Sequence, residues 1–478
     1  MTAGPNTDGF RARLYGRLHG SPTPLLISRD DIWTAASLWA GSRRWVHHFR
    51  AAGLAPGDRV ACALPAGAAF VQLLVACMME QLTLAIVSPR DVTATGANAL
   101  LAALDARLLV HASLPDAPWL VRPGAAGWPD GPVPHARAAR GLQHADIRLL
   151  VSTSGSREAP RWVALSEANL LAVLDSHRDA LRMDGGCVLN VLPWHHVFGL
   201  VLGLLAGLLW ADEIVLDASG GRDLDELLRL AEVHPVTHLN IVPLLGERLF
   251  ATERGAALLR ALAGGVVGGA PVSRALAARL SSTRLRAGYG QTEASPGIML
   301  GEPGEWSERF IGRAVGCDVR VDDDGVLCFR GPNAFAGLWT DGALSREDAG
   351  RWVRTDDLVE RLPNGSYRFL GRANERFKLA NGRFVQPARF EDAIRRAVPA
   401  VTEVILRAGG EGTPEIIVSF DGVASERLVG EVLACVPLAG ATVRVVPAGE
   451  WRRMPKGEVD RRNALLENGL REVASGSI

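Results

Sequence analysis

The sequence contains almost no lysine. Of its 52 cationic residues, 50 are arginines, and only Lys378 and Lys456 are lysines. The 52 acidic residues cancel this charge, so the formal net charge is zero. A balance of this kind argues against a protein that binds nucleic acid through a basic surface. With 478 residues, the chain is also too long for one ordinary domain.

Paired cysteines and long hydrophobic runs are also lacking. No two of the six cysteines are spaced as Cys-x-x-Cys, so neither a zinc knuckle nor a dithiol redox site is indicated, and we expect reduced thiols in a cytoplasmic protein. The longest apolar run, from Val197 to Ala211, has fifteen residues and is shorter than the roughly 18 that span a bilayer. It predicts a buried core helix and no membrane insertion.

Apolar strands and helices alternate along most of the first 300 residues. Residues 31–51 have the spacing of an amphipathic helix, and residues 53–89 read as strand, helix and strand. This βαβ order predicts an α/β fold with parallel sheets covered by helices. Residues 113–145 read as a long surface connection. Short alternating strands follow from about residue 305, among them a hairpin with Asp324-Gly325 as its turn.

A loop rich in hydroxyl groups is the sharpest local signal. The buried strand that begins near Leu149 runs into Ser152-Thr153-Ser154-Gly155-Ser156, and a helix is predicted from about Ser166. The glycine allows backbone N–H groups to approach a ligand closely, and the hydroxyls add further donors. Such a loop can wrap an anion.

Five further motifs follow in order along the chain. They are Pro193-Trp194-His195-His196-Val197-Phe198-Gly199, Gly268-Gly269-Ala270-Pro271, Tyr289-Gly290-Gln291-Thr292-Glu293, Thr355-Asp356-Asp357 and Gly371-Arg372. In this order they resemble the adenylate-forming superfamily, which includes acyl- and aryl-CoA synthetases, peptide-synthetase adenylation domains and firefly-type luciferases. The resemblance runs from about residue 30 to 465, and the motifs look most like those of benzoate-type and fatty-acid ligases.

The resemblance implies two domains. Residues 1–373 would form a large N-terminal domain of βαβ subdomains with a small β-barrel-like part. Residues 374–478 would form a small, mobile α+β domain that rotates about a hinge at Asn374, where the family usually has Asp or Lys.

The resemblance also implies roles for the residues of these motifs. The hydroxyl-rich loop would hold the β- and γ-phosphates of ATP, small residues would line the adenine slot, and Tyr289 would stack on the base. Thr292 would hold the α-phosphate, and Glu293 would bind Mg²⁺, a hard cation that prefers carboxylate oxygen. Asp357 would accept hydrogen bonds from the ribose, with Arg372 beside it. The implied ATP- and AMP-binding residues are Ser152, Thr153, Ser154, Gly155, Ser156, Gly269, Ala270, Pro271, Tyr289, Gly290, Asp357 and Arg372.

The same resemblance implies where the acid binds. His196 would lie at the mouth of the carboxylate pocket as a catalytic residue. Family members that activate amino acids have an aspartate at the position of Val197, and valine cannot pair with a buried ammonium group. We therefore expect an acid without an α-amino group. Gly264, Gly265 and Gly288 would leave space for a flat ring or a chain, which favours an aromatic acid such as a hydroxybenzoate, followed by a fatty acid.

Two segments depart from the pattern of the family. Where the family commonly has Thr-Gly and then Pro-Lys-Gly, residues 157–162 read REAPRW. The missing glycine and the bulky Trp162 predict a stiffer or differently shaped loop, in which Arg157 and Arg161 would supply the positive charge. Near the C-terminus, Glu458 stands where the family has its catalytic lysine.

Both lysines lie in motifs of the small domain. Lys378 follows the hinge where the family has an Ile-Lys pair, and the resemblance assigns it to the thioester step. Lys456 lies two residues before Glu458, and residues i and i+2 of an extended segment point to the same face. Because lysine is a compact charge and arginine a wide planar fork, we predict that Lys456 replaces the family lysine and that Glu458 points away from ATP.

The predicted function is an AMP-forming acid–thiol ligase. It would use ATP and Mg²⁺ to make an acyl-adenylate and would then pass the acyl group to coenzyme A or to the phosphopantetheine of a carrier protein; the acceptor stays open. The alternative is a degenerate family member that binds nucleotide or an acyl partner without adenylating. An NAD-dependent oxidoreductase is disfavoured because no Gly-x-Gly-x-x-Gly loop follows a first strand.

Overall fold

The computed structural model describes residues 9–88, 92, 95–112, 120–121, 144–153, 161–379, 383–409 and 413–452. The chain forms two compact units. The first unit comprises residues 1–319 and 329–353, and the second comprises residues 320–328 and 354–478. The chain passes between the units within the strands Asp318–Val321, Val326–Arg330 and Val353–Arg361.

Parallel strands in two sheets of the first unit confirm the predicted βαβ order. In the five-stranded sheet, four neighbouring strands are parallel and the fifth is antiparallel. Its strands are, in spatial order, His238–Leu239, Cys187–Asn190, Glu213–Leu216, Pro24–Ile27 and Ile32–Thr34. The strands of the eight-stranded sheet are, in spatial order, Ala343–Arg346, Gly337–Thr340, Arg161–Ser166, Ile147–Thr153, Thr83–Ile86, Arg59–Ala63, Leu108–His111 and Leu120–Val121.

Four more strands of the first unit run side by side. They are Val266–Gly268, Arg286–Tyr289, Met299–Leu300 and Phe310–Ala314, of which the first pair is parallel and the others are antiparallel. Single parallel bridges from His238 to Gly264 and from Ile241 to Val267 connect this group to the five-stranded sheet.

Helices cover these sheets. In the first unit the α-helices are Phe10–Leu18, Ala35–Ala51, Ala68–Met79, Ala97–Leu104, Glu167–Leu181, Ala206–Trp210, Leu224–Val233, Pro243–Phe250, Glu253–Ala261 and Arg274–Leu280. The segment Phe198–Leu205 is a π-helix and Thr292–Ala294 is a 3₁₀ turn. Among the described residues, every helix is too short or too polar to cross a lipid bilayer.

The second unit is an α+β structure with its own core. Its strands beyond the crossing segments are Tyr367–Arg372, Phe377–Lys378, Phe384–Val385, Val401–Ala408, Pro414–Phe420 and Thr442–Val445. The last three form one sheet, packed against the helices Pro387–Ala397 and Glu426–Ala434. Short 3₁₀ turns span Ala373–Glu375 and Ala448–Glu450. The predicted turn at Asp324-Gly325 is confirmed, because Gly325 has a φ of +80° and its N–H donates to Asp322 O.

The first predicted helix begins later than residue 31. Ile32 lies in the short strand Ile32–Thr34, and the helix starts at Ala35. The hydroxyl of Thr34 accepts a hydrogen bond from the N–H of Ser37 at 3.0 Å and so caps the helix. Helical spacing alone did not reveal this boundary, since Ile32 fits the apolar period but is exposed.

Candidate active site

Three of the predicted motifs follow strands that run in the same direction. Cys187–Asn190 is parallel to His238–Leu239, and Val266–Gly268 is parallel to both the segment at Ile241 and the strand Arg286–Tyr289. Because parallel strands end at the same edge of a sheet, the loops that follow them meet there, as ligand-binding loops do in open α/β sheets. We call this edge, where residues 193–199, 268–271 and 289–293 lie, the carboxyl edge.

The histidine motif contacts the glycine motif at this edge. A Cβ atom built on Gly268 would lie 3.6 Å from Cε1 of Phe198. His196 is half-buried, and its ring centroid lies 4.5 Å from that of His195. The carbonyl oxygen of His196 accepts a hydrogen bond from the N–H of Leu200, so the motif leads directly into the helix.

The helix after this motif confirms the predicted buried core helix, but its first part has π geometry. Its residues are almost entirely buried, and Val197, which precedes it, is 6% exposed. Asn240 ties this helix to the first residue of the strand Val266–Gly268, at the end opposite the carboxyl edge. Its side-chain amide donates to Leu202 O at 2.9 Å, while its oxygen accepts from the N–H of Val266. Short π-helical stretches are uncommon and occur frequently at functional sites.

Two glycines of the carboxyl edge are required by geometry. Gly269 has a φ of +86°, which side-chain-bearing residues rarely adopt, and it is exposed. A Cβ on Gly269 would have Val242 Cγ1 as its nearest neighbour, at 3.6 Å, so the space beside it is open. A Cβ on Gly290 would overlap the carbonyl oxygen of Pro296, so this glycine allows the loop after Thr292 to fold back on the strand.

The role of the three pocket glycines in binding the acid stays a prediction, and the structure shows what lies beside each Cβ position. Gly264 and Gly265 lie at the amino end of the strand Val266–Gly268, on the opposite side from the carboxyl edge. A Cβ on Gly265 would overlap the carbonyl oxygen of Leu239, and one on Gly288 would overlap the side chain of Val266. Neighbouring atoms thus occupy the Cβ positions of Gly265 and Gly288, while Gly288 itself is half-buried. These glycines permit close packing of the sheet.

The loop that carries Thr292 and Glu293 is a short 3₁₀ turn. The side chains of Tyr289, Thr292 and Glu293 are all half-buried, which leaves each of them a surface that a ligand can reach. The carbonyl oxygen of Glu293 accepts a hydrogen bond from the N–H of Phe335 at 2.9 Å. The turn is thus fixed through its backbone.

A buried histidine lies beneath this loop. His177 is fully buried, its Nδ1 lies 3.0 Å from the hydroxyl of Ser176, and a Cβ on Gly297 would overlap its ring. Burial lowers the pKa of His177 to about 4. The ring is therefore neutral at physiological pH.

The hydroxyl-rich loop connects two antiparallel strands. Ser152 pairs with Trp162 and is half-buried, and Thr153 ends its strand. Ser154, Gly155 and Ser156 lie outside the described residues, as does Arg157.

Trp162 does not belong to the loop, which corrects the sequence interpretation. It lies in the strand Arg161–Ser166, is 3% exposed and packs in the core of the sheet. The predicted helix start is confirmed, because Ser166 caps the helix Glu167–Leu181.

In the second unit, the two residues expected at the ribose lie side by side. Asp357 and Arg372 occupy directly opposite positions on two antiparallel strands. Nε of Arg372 lies 2.9 Å from the carboxylate of Asp357, whose side chain is 2% exposed while that of Arg372 is 48% exposed. The backbone N–H of Asp357 donates to the hydroxyl of Thr355, which in turn donates to Leu327 O. The carboxylate is therefore held in a fixed orientation.

Of the residues predicted for the hinge and for the lysine roles, the structure describes Asn374 and Lys378. Asn374 is exposed and lies in the 3₁₀ turn after the strand of Arg372. Lys378 is exposed, and its ammonium lies 5.9 Å from the ring centroid of Phe384. Lys456 and Glu458 lie outside the described residues.

Comparison with known families decides the assignment. A family model described as "AMP-binding enzyme" matches residues 19–339, more than half of the chain. The chain belongs to the AMP-binding enzyme family. The predicted resemblance to adenylate-forming enzymes is thereby confirmed.

Curated relatives of this family match the chain over limited lengths. Human long-chain-fatty-acid–CoA ligase 1 is 32% identical over 151 residues, which cover 28% of this chain and 22% of the ligase. Phenyloxazoline synthase MbtB of Mycobacterium sp. (strain MCS) is 29% identical over 362 residues, which cover 67% of this chain and 30% of the synthase. The match to the fatty-acid ligase thus spans about a fifth of that protein's length.

Solved structures share the fold over nearly the whole chain. O-succinylbenzoate coenzyme A synthetase from Bacillus subtilis, in complex with AMP, gives a TM-score of 0.77 at 19% identity and covers 98% of this chain and 99% of its own. The anthranilate CoA ligase AuaEII, in complex with anthranoyl-AMP, gives 0.77 at 17% identity and covers 96% and 97%. At these identities the likeness concerns the fold, and it confirms the predicted α/β architecture.

Glu293 is the residue that could help to hold a metal ion at this site. Among the described residues, no group of three or more His, Cys, Asp and Glu side chains could hold a metal by itself. Mg²⁺ that arrives with a nucleotide needs only one or two carboxylates, since phosphates and water complete its coordination. The single half-buried carboxylate of Glu293 fits that requirement.

The cysteines contribute no reactive thiol at the carboxyl edge. All six are unpaired, and four of them are buried. Burial raises the pKa of Cys62 and of Cys187 to about 12. A thiol with so high a pKa is a poor nucleophile at neutral pH.

The sequence analysis missed three polar residues near the turn that carries Thr292 and Glu293. Asn169, Ser295 and Asn333 are all buried and hydrogen-bonded. One of them left a signal, because Ser166 followed by Asn169 has the spacing of a helix-capping box. The other two have no local signature, since their partners are brought together only by the fold.

Proposed function

We propose that this AMP-binding enzyme activates a carboxylic acid with ATP. The carboxylate oxygen forms a bond to the α-phosphorus, the bond to the β-phosphate breaks, and pyrophosphate leaves. The acyl-adenylate then reacts with a thiol, from coenzyme A or a carrier-protein pantetheine arm, and AMP is released. The convergence of residues 193–199, 268–271 and 289–293 at the carboxyl edge is the observation that carries this proposal.

The nucleotide roles follow from the chemistry of each side chain. The half-buried ring of Tyr289 offers a face on which adenine stacks, and the open space beside Gly269 accommodates a flat base. Thr292 donates its hydroxyl to the α-phosphate. Asp357 accepts the ribose hydroxyls, and its carboxylate lies 2.9 Å from Nε of Arg372. Ser152 to Ser156 hold the outer phosphates.

Glu293 would hold Mg²⁺ in this scheme. When bound, the ion neutralises charge on the phosphate oxygens as it develops. The hydrogen bond from the N–H of Phe335 to Glu293 O restrains the backbone that carries this carboxylate.

The cation that acts in adenylation is proposed to be Lys456. The chain retains only two lysines among its 52 cations, and Lys456 stands two residues from the place of the family's catalytic lysine. We expect Lys456→Ala to reduce pyrophosphate exchange about 10²-fold or more, the loss of one positioned charge. Glu458→Ala should change little. Wild-type exchange in Lys456→Ala would direct attention to Arg157, Arg161 and Arg372.

The small domain is proposed to rotate about Asn374 between the two half-reactions. Lys378, four residues after this hinge, would then act in the thioester step. This keeps two reactions at one site. The proposed domains are residues 1–373 and 374–478.

The favoured substrate is an acid without an α-amino group. Val197 is buried and apolar, which supports exclusion of a substrate ammonium. An aromatic acid such as a hydroxybenzoate is our first choice, and a fatty acid is the second, which the sequence match to a long-chain-fatty-acid–CoA ligase supports. His196 would face the carboxylate from the mouth of the pocket.

A degenerate member that binds nucleotide without adenylating is the second candidate. The residues REAPRW at 157–162 and the acidic Glu458 favour it. The test is acid-dependent ATP–pyrophosphate exchange over benzoates, cinnamates, fatty acids and amino acids. Exchange with an aromatic or fatty acid supports the ligase. Exchange with amino acids alone sinks the substrate assignment, and ATP binding without exchange with any acid supports the degenerate member.

A further inference from the structure

A short segment of the first unit joins two parts of the candidate site. Residues 331–336, GPNAFA, lie between the strand Arg161–Ser166 and the loop at Glu293. The N–H of Ala336 donates to Ala164 O at 2.9 Å, while the N–H of the preceding Phe335 donates to Glu293 O at 2.9 Å. Two consecutive amides thus bond to two different elements. We call residues 331–336 the bridging segment.

Asn169 holds one side of the bridging segment. Its side-chain oxygen accepts a hydrogen bond from the N–H of Ser166, as part of the helix cap. Its side-chain amide donates to Pro332 O at 2.9 Å and to Ala334 O at 2.8 Å. Both hydrogens of this amide are used on the segment. The amino end of the helix Glu167–Leu181 is therefore tied to residues 332–334.

Asn333 holds the other side. Its side-chain amide donates to Gly297 O at 2.7 Å, and its backbone oxygen accepts from the hydroxyl of Ser295 at 2.9 Å. Asn333 is 2% exposed and Ser295 is fully buried. Ser295 also has a φ of +63°, a conformation that a serine adopts only when its surroundings enforce it. The loop that returns from Thr292 is thus held at two points.

These hydrogen bonds fix the position of the loop after Thr292, which apolar packing cannot fix. The loop consists of small residues with unusual backbone angles, so it has little side-chain surface by which a core could fix it. Hydrogen bonds between buried groups are directional, and a shift of the loop would leave several of them unmade. Catalytic groups misplaced by about 1 Å can lose about 10²-fold in rate.

We propose that Asn333 is a positioning residue for adenylation and that the bridging segment sets the spacing between the strand Arg161–Ser166 and the Thr292–Glu293 turn. This inference rests on the proposed function, because the position of the turn affects the reaction only if Thr292 holds the α-phosphate and Glu293 holds Mg²⁺. Asn333 acts through the backbone of that turn and touches no substrate.

The decisive variant is Asn333→Ala, measured by pyrophosphate exchange with the best acid. We expect the turnover number to fall on the order of 10- to 100-fold, with the KM for ATP changed less than about threefold. The adenine and ribose contacts lie on other residues, which is why ground-state binding is retained. Thr83→Val is the matched control, since it removes a different buried hydrogen bond of the first unit, from the Thr83 hydroxyl to Ile147 O, and should keep wild-type turnover.

A pH profile separates positioning from a general loss of structure. In Asn333→Asp the ionised carboxylate cannot donate to Gly297 O, but the protonated acid can. Activity of this variant relative to wild type should therefore rise as the pH is lowered towards 5. The relative activity of Asn333→Ala should stay flat over the same range.

Ser295→Ala keeps the test sharp if Asn333→Ala does not fold. It removes a single hydroxyl bond and should reduce turnover by about threefold to tenfold. Wild-type turnover in a folded Asn333→Ala, or in Ser295→Ala where the former is insoluble, overturns the positioning role. Absence of exchange in the wild-type enzyme with every acid overturns the proposed function instead, and the positioning role with it.

Discussion

The strand Val266–Gly268 is preceded by Gly264 and Gly265 and followed by Gly269, and these glycines lie in different surroundings. Gly264 and Gly265 are buried, and a side chain on Gly265 would overlap the backbone of the neighbouring strand. Gly269, at the other end, is exposed and has open space beside its Cβ position. One end of the strand is closed by packing, and the other end is accessible to a ligand.

This difference shows that the run Gly-Gly-Val-Val-Gly-Gly has no single meaning. At the amino end, glycine allows two chains to approach each other. At the carboxyl edge, Gly269 provides a left-handed backbone angle and an accessible surface where three motif-bearing loops meet. The surroundings of each glycine's Cβ position therefore decide whether a substitution should affect stability or activity.

The largest effect is expected for Gly265→Ala. The new methyl group would overlap Leu239 O, and the φ of +147° is unfavourable for alanine. We expect a loss of about 3 kcal/mol in the free energy of unfolding, measured by urea denaturation. Gly185→Ala is the control, since its φ is +72° with no atom within 4 Å of the new methyl. It should cost only about 1 kcal/mol, and equal losses would refute the packing argument.

The buried His177 beneath the loop of Thr292 and Glu293 should make the free energy of unfolding depend on pH. The pKa of His177 is lowered to about 4 from its ordinary 6.5, so the unfolded chain takes up a proton between these values while the folded chain does not. Stability is therefore fully present above pH 6.5 and falls as the pH is lowered towards 4, by about 3 kcal/mol from this group.

The readout is the slope of unfolding free energy against pH, compared between wild type and His177→Asn. His48 and His238 also have pKa values lowered by burial, so the variant should retain part of the slope. An equal slope in wild type and His177→Asn would show that His177 does not contribute to the pH dependence of stability.

A smaller effect is expected in the second unit, where a side chain rather than the backbone is proposed to bind the nucleotide. Asp357→Asn keeps the size of the side chain and removes its charge. The KM for ATP should rise about tenfold, as for the loss of one charged hydrogen bond. Glu360→Gln is the control, since Glu360 lies on the same strand, is exposed and pairs with Arg368. This variant should leave the KM for ATP unchanged. An equal rise in the KM of both variants would indicate a general effect of charge.

The smallest change in stability is expected for Gly269→Ala. Its new methyl group meets no atom closer than 3.6 Å, so only the backbone angle costs free energy, about 1 kcal/mol. The methyl group enters the space proposed for adenine, and the affinity for ATP should fall about tenfold. Calorimetric titration with Mg-ATP measures this. Unchanged affinity would mean that the base lies elsewhere.

The sequence was sufficient to predict elements with a local signal. The helix after Ser166 has its cap in the sequence, and the hairpin at Asp324-Gly325 has its turn residues. The βαβ order gave the parallel sheets, and with them the edge at which the motifs meet.

The remaining features depend on partners that are distant along the chain. Trp162 reads as a loop residue until the strand Gly337–Thr340 pairs with it from more than 170 positions away. Asn333 has no local signature because its partners, Ser295 and Gly297, reach it only through the fold. The glycines at 264 and 265 could not be distinguished from Gly269 until the direction of the strand was known.

Hydrogen–deuterium exchange with and without saturating Mg-ATP tests the central claim most directly, because it reports both ends of the same strands in one measurement. We predict that amides of residues 268–271 and 289–293 become protected, while those of residues 262–265 and 283–286 are unchanged. Protection at the amino end, or equal protection at both ends, would contradict a nucleotide site at the carboxyl edge.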